Sequence, residues 1–287
     1  MPADQDTGKA REWKLGLTTE AQKWKESSTD APPFYSYRLF RSLCGEFIGC
    51  MLFLFMVITV ARFAGNRPDD ELASEVAATT IMIATAFGLS IFVLVYILAE
   101  NSGAHLNPAV SIGLLVGKRI SVELFFFYVI AQMAGAVAGA GLATTFLSST
   151  GGGFNAVADG VSVGDAFGAE VLCTFVLMVT IFAACDGELE HNSAHIGPLL
   201  PLVIGSAVLL CHLVLIPIDG CSINPARSFA TAVTNGEWDD QWVFWVGPML
   251  GSVLATIVWE AVLRPDQDVK GEEEEGIALA GTSAVFE

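Results

Sequence analysis

The tripeptide Asn-Pro-Ala occurs twice in this chain, at Asn107, Pro108 and Ala109 and again at Asn224, Pro225 and Ala226. Asn is a favoured helix N-cap and Pro is favoured at the first helical position, so each tripeptide predicts the start of a helix. An Asn at that place offers amide N–H donors, and the helix N-terminus adds a partial positive charge. These groups suit hydrogen bonding to a small neutral molecule and oppose the approach of cations.

The helices that follow the tripeptides are too short to cross a bilayer. The first runs from Asn107 to Gly117, and at ~1.5 Å per residue it covers only about half of a ~30 Å hydrocarbon core. Broken backbone is tolerated at membrane depth only where it is buried in protein or lines a wet cavity. The pair of half-helices therefore indicates a channel or a transporter.

The composition agrees with a chain that crosses a membrane several times. Hydrophobic residues make up 53% and charged residues 16%, and the mean hydropathy is +0.56, values that disfavour a soluble enzyme. Apolar runs long enough to span a bilayer predict six membrane helices. These runs cover roughly 40–61, 77–99, 122–145, 166–184, 197–217 and 242–263. One half-helix falls between the second and third spans, and the other falls between the fifth and sixth.

The charged residues suggest how the chain is oriented. The net charge is −17, and the acidic C-terminal segment favours a solvated tail over a docking site. Half of the Lys and Arg residues lie at or before the start of the first span. Because basic residues favour the cytoplasmic side, we predict that both termini are cytoplasmic. We expect an N-terminal tail (1–37), a channel domain (38–264) and an acidic C-terminal tail (265–287).

The chain also repeats itself over half its length. Glu46 in the first span and Glu170 in the fourth are each followed, at similar spacing, by an Asn-Pro-Ala tripeptide. Three spans and one half-helix form a unit, with repeat one at about 38–145 and repeat two at about 164–264. Because three is an odd number, the second unit must run through the membrane upside down. The N-terminal ends of the two half-helices then meet at the midplane, where two charges of about +0.5 repel cations.

These motifs resemble those of the aquaporins, members of the major intrinsic protein family. The residues that carry the resemblance are Ser-Gly-Ala-His-Leu-Asn-Pro-Ala-Val at 102–110 and Gly-Cys-Ser-Ile-Asn-Pro-Ala-Arg-Ser at 220–228. More loosely, the segment 29–33 and the loop before the fifth span resemble plant-type plasma-membrane members. The resemblance implies an all-α membrane protein of six transmembrane helices plus two half-helices in an inverted repeat. It also implies a homotetramer with one pore per subunit.

In that family a second constriction toward the outer face sets selectivity. Matching the motifs assigns this selectivity filter to Phe87, His212, Cys221 and Arg227. The resemblance implies that bulky Phe and His side chains narrow the ring, while His and Arg supply donors to water. Ser228 follows the filter Arg where glycerol-conducting relatives usually have Asp, so glycerol is disfavoured as the main substrate. We also expect the Cys221 thiol to lie at the pore wall, where mercurials would block it.

Four further polar residues are expected to brace the half-helix loops. They are Glu46, Glu170, His105 and Gln132. A proton relay is one interpretation of the two carboxylates, but the resemblance favours hydrogen bonding to the backbone of the loops. His105 is expected to brace the cytoplasmic loop and vestibule.

Two residues are candidates for regulation. Ser121 ends the sequence Lys-Arg-Ile-Ser, a form favoured by basophilic kinases, and a phosphate there would add about −1.5 to −2 charge. His195 lies where plant-type relatives carry a pH-sensing histidine, and an imidazole with an ordinary pKa near 6.5 could respond to acidification. The acidic neighbours of His195 differ from that pattern. For both residues an ordinary solvated role stays open.

The sequence thus predicts a passive channel for water that excludes protons and ions and follows osmotic gradients. The alternatives are a channel for other small neutral solutes, such as hydrogen peroxide or glycerol, and a junctional adhesion protein on the same fold. A secondary transporter is disfavoured because the spans hold no set of ionisable residues for ion coupling. An enzyme is disfavoured because no nucleophile, base and orienting group occur together. We expect no cofactor, no bound metal, no disulfide and no nucleic-acid partner. The expected partners are water, lipid and further copies of the chain, and the expected location is a plasma membrane.

Overall fold

The structure, a computed structural model, describes residues 36–65, 73–147, 152–186 and 199–264. All regular secondary structure in these ranges is helical. The helices are α1 (Tyr37–Gly65), α2 (Ala73–Ser102), α3 (Pro108–Val116), α4 (Val122–Phe146), α5 (Val163–Cys185), α6 (Leu200–Asp219), α7 (Pro225–Asn235) and α8 (Val243–Val258), and a π-helical turn (Trp259–Leu263) continues α8. The predicted C-terminal tail and nearly all of the N-terminal tail lie outside the described residues.

Six of the helices are long and apolar enough to cross a membrane, namely α1, α2, α4, α5, α6 and α8 with its π turn. Their ends lie within a few residues of the six spans predicted from hydropathy. The other two helices, α3 and α7, are the half-helices. The prediction of an all-α membrane protein with six spans and two half-helices is confirmed.

The helices pack as two copies of one unit. In the first unit α1 packs against α2 and α4, and in the second α5 packs against α6 and α8. Each half-helix lies against the last span of the opposite unit, α3 on α8 and α7 on α4, while α2 packs on α6 across the boundary. An inverted repeat predicts these cross-contacts. Each half-helix enters from its own face of the membrane and completes the bundle beside the spans of the opposite unit.

Both half-helices begin and end on local signals in the sequence. Asn107 and Asn224 are the N-caps, and the Pro that follows each is the first helical residue. A Gly ends each helix, Gly117 after α3 and Gly236 after α7. Gly236 has φ of 77°, a left-handed conformation that favours Gly over residues with a side chain.

Close helix contacts depend on glycines that face a neighbouring backbone. A Cβ added at Gly139 on α4 would collide with the carbonyl oxygen of Met51 on α1. The equivalent contact in the second unit joins Gly251 on α8 to the carbonyl oxygen of Val171 on α5. Small residues of this kind let membrane helices approach closely. A Cβ added at Gly141, in contrast, would have no heavy atom within 4 Å among its possible neighbours.

We therefore expect Gly139→Ala to destabilise the fold by about 1–3 kcal/mol, because the added methyl group overpacks the contact between α1 and α4. Gly141→Ala is the matched control on the same helix, and it should be neutral or stabilising because Ala favours the helical backbone. Thermal unfolding of both variants in detergent measures the difference. Equal unfolding temperatures would show that the close contact does not limit packing.

Candidate functional site

The side-chain oxygens of the two motif asparagines cap their own half-helices. Oδ1 of Asn107 accepts a hydrogen bond from the backbone N–H of Ala109 at 2.8 Å. Oδ1 of Asn224 accepts from the N–H of Ala226 at 3.0 Å and from that of Arg227 at 3.4 Å. Because each oxygen is engaged with its own helix, the amide nitrogens are directed away from it and are available as donors.

Each amide nitrogen then crosses to the other repeat. Nδ2 of Asn107 donates to the carbonyl oxygen of Ile223 at 2.8 Å, and Nδ2 of Asn224 donates to the carbonyl oxygen of Leu106 at 2.9 Å. The acceptor is in both cases the residue before the opposite Asn. An amide NH₂ has two hydrogens, so each Asn keeps one donor beyond this exchange. Both side chains retain a little exposed surface, as a group facing a narrow passage would.

The loops before the half-helices have strained backbones. Leu106 and Ile223 have φ of 52° and 43°, and Ala104 and Cys221 have φ of 50° and 59°. These left-handed conformations cost a residue with a side chain about 1–3 kcal/mol each. The same two offsets from the motif Asn are strained in both loops, so the strain belongs to the repeated unit. The left-handed conformations of Leu106 and Ile223 accompany the turn that brings their carbonyl oxygens to the opposite Asn.

The buried carboxylate of Glu46 holds the first loop in place. Oε1 accepts from the hydroxyl of Ser102 at 2.6 Å and from the N–H of His105 at 3.0 Å. Oε2 accepts from the N–H of Leu106 at 2.8 Å and from Nε2 of Gln132 at 2.8 Å. Both carboxylate oxygens are thus occupied by donors, which is how a buried acid is stabilised in an apolar protein interior.

His105 and Gln132 meet at a second hydroxyl. Nδ1 of His105 lies 3.0 Å from Oγ of Ser111, and Nε2 of Gln132 donates to the same Oγ at 3.0 Å. That hydroxyl also donates to the carbonyl oxygen of Asn107 at 3.1 Å. The two residues that the sequence assigned to loop bracing are therefore brought together with Glu46 around the start of α3.

Glu170 occupies the equivalent position in the second repeat. Its Oε1 accepts from the N–H of Ser222 at 2.6 Å and its Oε2 accepts from the N–H of Ile223 at 2.7 Å. A second acid, Asp219, accepts from the N–H of Cys221 at 2.9 Å. All of these residues are buried. Each loop is thus held by a carboxylate that binds two successive backbone amides just before the motif Asn.

The rings of Phe87 on α2 and His212 on α6 lie against each other, with centroids 4.0 Å apart. Nδ1 of His212 is 2.8 Å from the carbonyl oxygen of Val208, so this nitrogen carries a hydrogen. Nε2 has no partner among the described residues. The carbonyl of Val208 thus fixes the tautomer, and in a neutral ring Nε2 is an acceptor. The sequence-based expectation was that His212 supplies a donor.

Arg227 lies beside this ring pair, with its guanidinium carbon 5.5 Å from the Phe87 ring centroid. Its terminal nitrogens donate to Oδ1 of Asn155 and, at 3.2 Å, to the carbonyl oxygen of Gly220. Nε of Arg227 has no partner within the described part of the chain. A buried guanidinium at the start of a half-helix is disfavoured by the helix dipole, and these acceptors offset part of that cost.

Cys221 is the fourth residue assigned to the filter. It lies on the same loop as Gly220, and its left-handed backbone donates to Asp219. The residue is fully buried. The assignment of Cys221 to the filter and the reaction of its thiol with a mercurial therefore stay predictions.

Sequence reasoning missed Asn155. This residue lies between the two repeats, just after three consecutive glycines at 151–153, and only 2% of its surface is exposed. Its Nδ2 donates to the carbonyl oxygen of Asp219, and its Oδ1 accepts from Ser228 as well as from Arg227. The neighbouring Ala158 donates to the carbonyl oxygen of Ile218, which fixes the segment to the end of α6. No spacing in the sequence indicates this long-range contact.

The structure describes one of the two regulatory candidates. Ser121 caps α4, and its Oγ accepts from the N–H of Leu124 at 3.2 Å. The adjacent Arg119 pairs with Asp186 and with Glu260, and the acids outweigh the opposing effect of burial and raise the pKa of Arg119. His195 lies outside the described residues. The described ranges contain no group of three or more His, Cys, Asp or Glu side chains placed to hold a metal ion.

Comparisons with known proteins give a consistent result. The family model described as "Major intrinsic protein" matches residues 34–259. The chain is 46% identical to "Aquaporin PIP2-7" of Arabidopsis thaliana over 236 residues, covering 80% of this chain and 83% of the relative. It is 43% identical to "Probable aquaporin PIP2-2" of Oryza sativa subsp. japonica, covering 82% and 88%. A solved structure of the aquaglyceroporin from Plasmodium falciparum superposes with a TM-score of 0.66 at 25% identity, covering 79% of this chain and 98% of that one.

The bracing geometry predicts a large effect for Glu46→Gln. In the variant, the NH₂ group of Gln replaces one carboxylate oxygen and faces groups that are themselves donors. Each hydrogen bond to the charged carboxylate that is lost is worth about 1.5–3 kcal/mol. We expect a clear drop in the unfolding temperature in detergent. Glu75→Gln, at an exposed position in the first turn of α2, is the control. Similar unfolding temperatures for the two variants would contradict a bracing role.

Asn155→Ala should lower the water permeability of vesicles that carry the protein, without unfolding it. The reason is that Arg227 would lose an acceptor that holds its guanidinium in place. Asn235→Ala is a matched control, since Asn235 also accepts from an arginine, Arg62, at 2.9 Å, but does not contact the filter residues. Swelling or shrinkage rates of vesicles that carry each variant give the comparison. If the two variants conduct equally, Asn155 has no role in positioning Arg227.

Proposed function

Since this chain belongs to the major intrinsic protein family, we propose that it is a passive water channel, driven by osmotic gradients and closed to protons and ions. The observation that carries the proposal is the reciprocal hydrogen bonding of the two motif asparagines, Asn107 to Ile223 and Asn224 to Leu106. It brings two N-capped helix ends and two spare amide donors to one point. Members of this family are channels and not enzymes.

The central asparagines explain how water passes and cations do not. A water oxygen at this point can accept from the spare N–H of Asn107 and of Asn224, which replaces hydrogen bonds lost on leaving bulk water. The two half-helix N-termini each contribute about +0.5 charge at the same point. A proton or metal ion therefore meets an electrostatic barrier that a neutral molecule does not.

The filter favours water over glycerol. The close Phe87 and His212 rings leave little room for a carbon backbone, and Arg227 adds a positive charge beside them. Nε2 of His212 offers an acceptor and Nε of Arg227 offers a donor, so one water molecule can satisfy both in passing. Cys221 is included as the fourth filter residue because of the family resemblance. Conduction of hydrogen peroxide, which is close to water in size, is compatible with the same ring.

The proposed setting of the channel is supported by the same family. We place it as a multi-pass protein of the plasma membrane, with both termini in the cytoplasm because basic residues are concentrated there. We also propose a homotetramer in the lipid bilayer, in which each subunit has its own pore. Exposed apolar side chains on the outer faces of the spans, such as Leu172 on α5 and Ile130 on α4, suit contact with lipid or with a second subunit.

Regulation stays a prediction at both candidate residues. A phosphate on Ser121 would add negative charge at the N-terminus of α4, where a helix dipole favours it, close to the ion pairs of Arg119. Phosphorylation would thus act by drawing Arg119 away from Asp186. Gating by His195 depends on residues outside those described.

Stopped-flow light scattering of proteoliposomes tests the proposed function. An osmotic step of sucrose should cause much faster shrinkage than in empty liposomes, while a glycerol gradient should relax slowly. Mercuric chloride should reduce the water flux, and Cys221→Ser should keep flux in its presence. An imposed pH gradient should not collapse faster than in empty liposomes.

The results separate the proposal from its alternatives. Fast glycerol entry would contradict selectivity for water and favour a channel for a wider range of small neutral solutes. Water flux no faster than in empty liposomes, at acidic and alkaline pH alike, would contradict the proposal and favour the adhesion alternative.

A further inference from the structure

Asp219 holds one side of a peptide group whose other side is bound by the filter arginine. Oδ1 of Asp219 accepts a hydrogen bond from the N–H of Cys221 at 2.9 Å. The carbonyl oxygen of the same peptide group, that of Gly220, accepts from Nη2 of Arg227 at 3.2 Å. A trans peptide group is planar, and its N–H and C=O point in opposite directions. The hydrogen bond to Asp219 therefore sets the direction in which this carbonyl faces Arg227.

The backbone of Asp219 also holds a second acceptor of Arg227. Its carbonyl oxygen accepts from Nδ2 of Asn155 at 3.2 Å and from the N–H of Ala156 at 3.2 Å. Oδ1 of Asn155 in turn accepts from Nη1 of Arg227. Each terminal nitrogen of the guanidinium thus binds an acceptor that Asp219 fixes, one through its side chain and one through its backbone.

The first repeat has a neutral residue at the position equivalent to Asp219. Ser102 lies five residues before Asn107, as Asp219 lies five residues before Asn224. Oγ of Ser102 accepts from the N–H of Ala104 at 3.1 Å, which is the same contact that Asp219 makes two residues further along its own loop. A hydroxyl group is therefore sufficient to hold this turn.

An acid stands at this position in the repeat that also carries a buried cation. Val110 follows the first motif Asn by three residues, whereas Arg227 follows the second by three. Asp219 is buried, and its Oδ2 has no hydrogen-bond partner in the described part of the chain. Holding the turn does not require this second oxygen or its charge. A nearby guanidinium does account for them, because buried charges are weakly screened and attract each other over several ångströms.

We propose that Asp219 is a positioning residue of the selectivity filter. It orients the peptide group between residues 220 and 221 toward Arg227, and it supplies a counter-charge that keeps the guanidinium at its place. The inference deepens the proposed function, on which it rests for the role of Arg227 in selecting water. The contacts from Asp219 to Arg227 through Gly220 and Asn155 are the same whichever solute passes.

Permeability measurements on proteoliposomes test the hydrogen bond of Asp219. Asp219→Ala removes the acceptor for the N–H of Cys221. We expect a several-fold lower water permeability and a higher ratio of glycerol to water permeability, because the guanidinium is no longer held. Asp219→Ser restores the acceptor that the first repeat uses and should recover part of that ratio.

Asp159→Ala is the matched control for these measurements. Asp159 is an exposed acid on the segment that supplies Asn155, so its loss changes the net charge by the same amount away from the filter. Its permeabilities should equal those of the parent chain. Equal glycerol to water ratios for Asp219→Ala, Asp219→Ser and the parent chain would overturn the proposal.

A double-mutant cycle tests the counter-charge without using conduction. Asp219→Asn keeps an oxygen acceptor but removes the charge, and Arg227→Met removes the guanidinium. We expect Asp219→Asn to lower the unfolding temperature of the full chain in detergent, and to lower it much less in the Arg227→Met background, where the remaining acid has lost its partner. Additive shifts would overturn the proposal, because residues that do not interact contribute independently. If the parent chain conducts no water, the proposed function fails and this cycle still decides the role of Asp219.

Discussion

The architecture depends on a pair of hydrogen bonds between the two halves of the chain. Asn107 donates to the carbonyl oxygen of Ile223, and Asn224 donates to that of Leu106. Both bonds are buried at the centre of the bundle, where a carbonyl or amide group without a hydrogen-bond partner is costly. Each half-helix loop therefore supplies the acceptor that the other half-helix's asparagine needs. Neither repeat could form its part of the pore alone.

This pairing requires a backbone that the residues themselves disfavour. Leu106 and Ile223 adopt left-handed conformations, although neither is Gly and Ile is β-branched. The strain is held by Glu46 and Glu170, which bind the N–H groups of these same two residues. A carboxylate is suited to this task because it accepts several hydrogen bonds at once and each charged bond is stronger than a neutral one. The acids in the spans thus have a structural explanation that requires no proton relay.

The two repeats differ at the proposed selectivity filter. The second half-helix begins with a buried Arg227, and the segment that joins the repeats supplies Asn155 as its acceptor. The first repeat contributes Phe87, whose ring packs against His212 of the second. An inverted repeat alone would create two similar mouths. The residues that differ between the repeats meet on one side of the centre, where Arg227 lies beside the rings of Phe87 and His212, while the paired asparagines keep the symmetry of the repeat.

The sequence by itself determined the helices, because hydropathy, the Asn and Pro capping signals and the odd number of spans per repeat are local or periodic properties. It also indicated Phe87, His212 and Arg227, although only through a family resemblance. The tertiary structure decided the rest. Asn155 contacts Arg227 across 72 residues of sequence, and the ring of Phe87 in the first repeat meets that of His212 in the second. Contacts between distant segments have no period in the sequence, so packing alone selects which side chains meet.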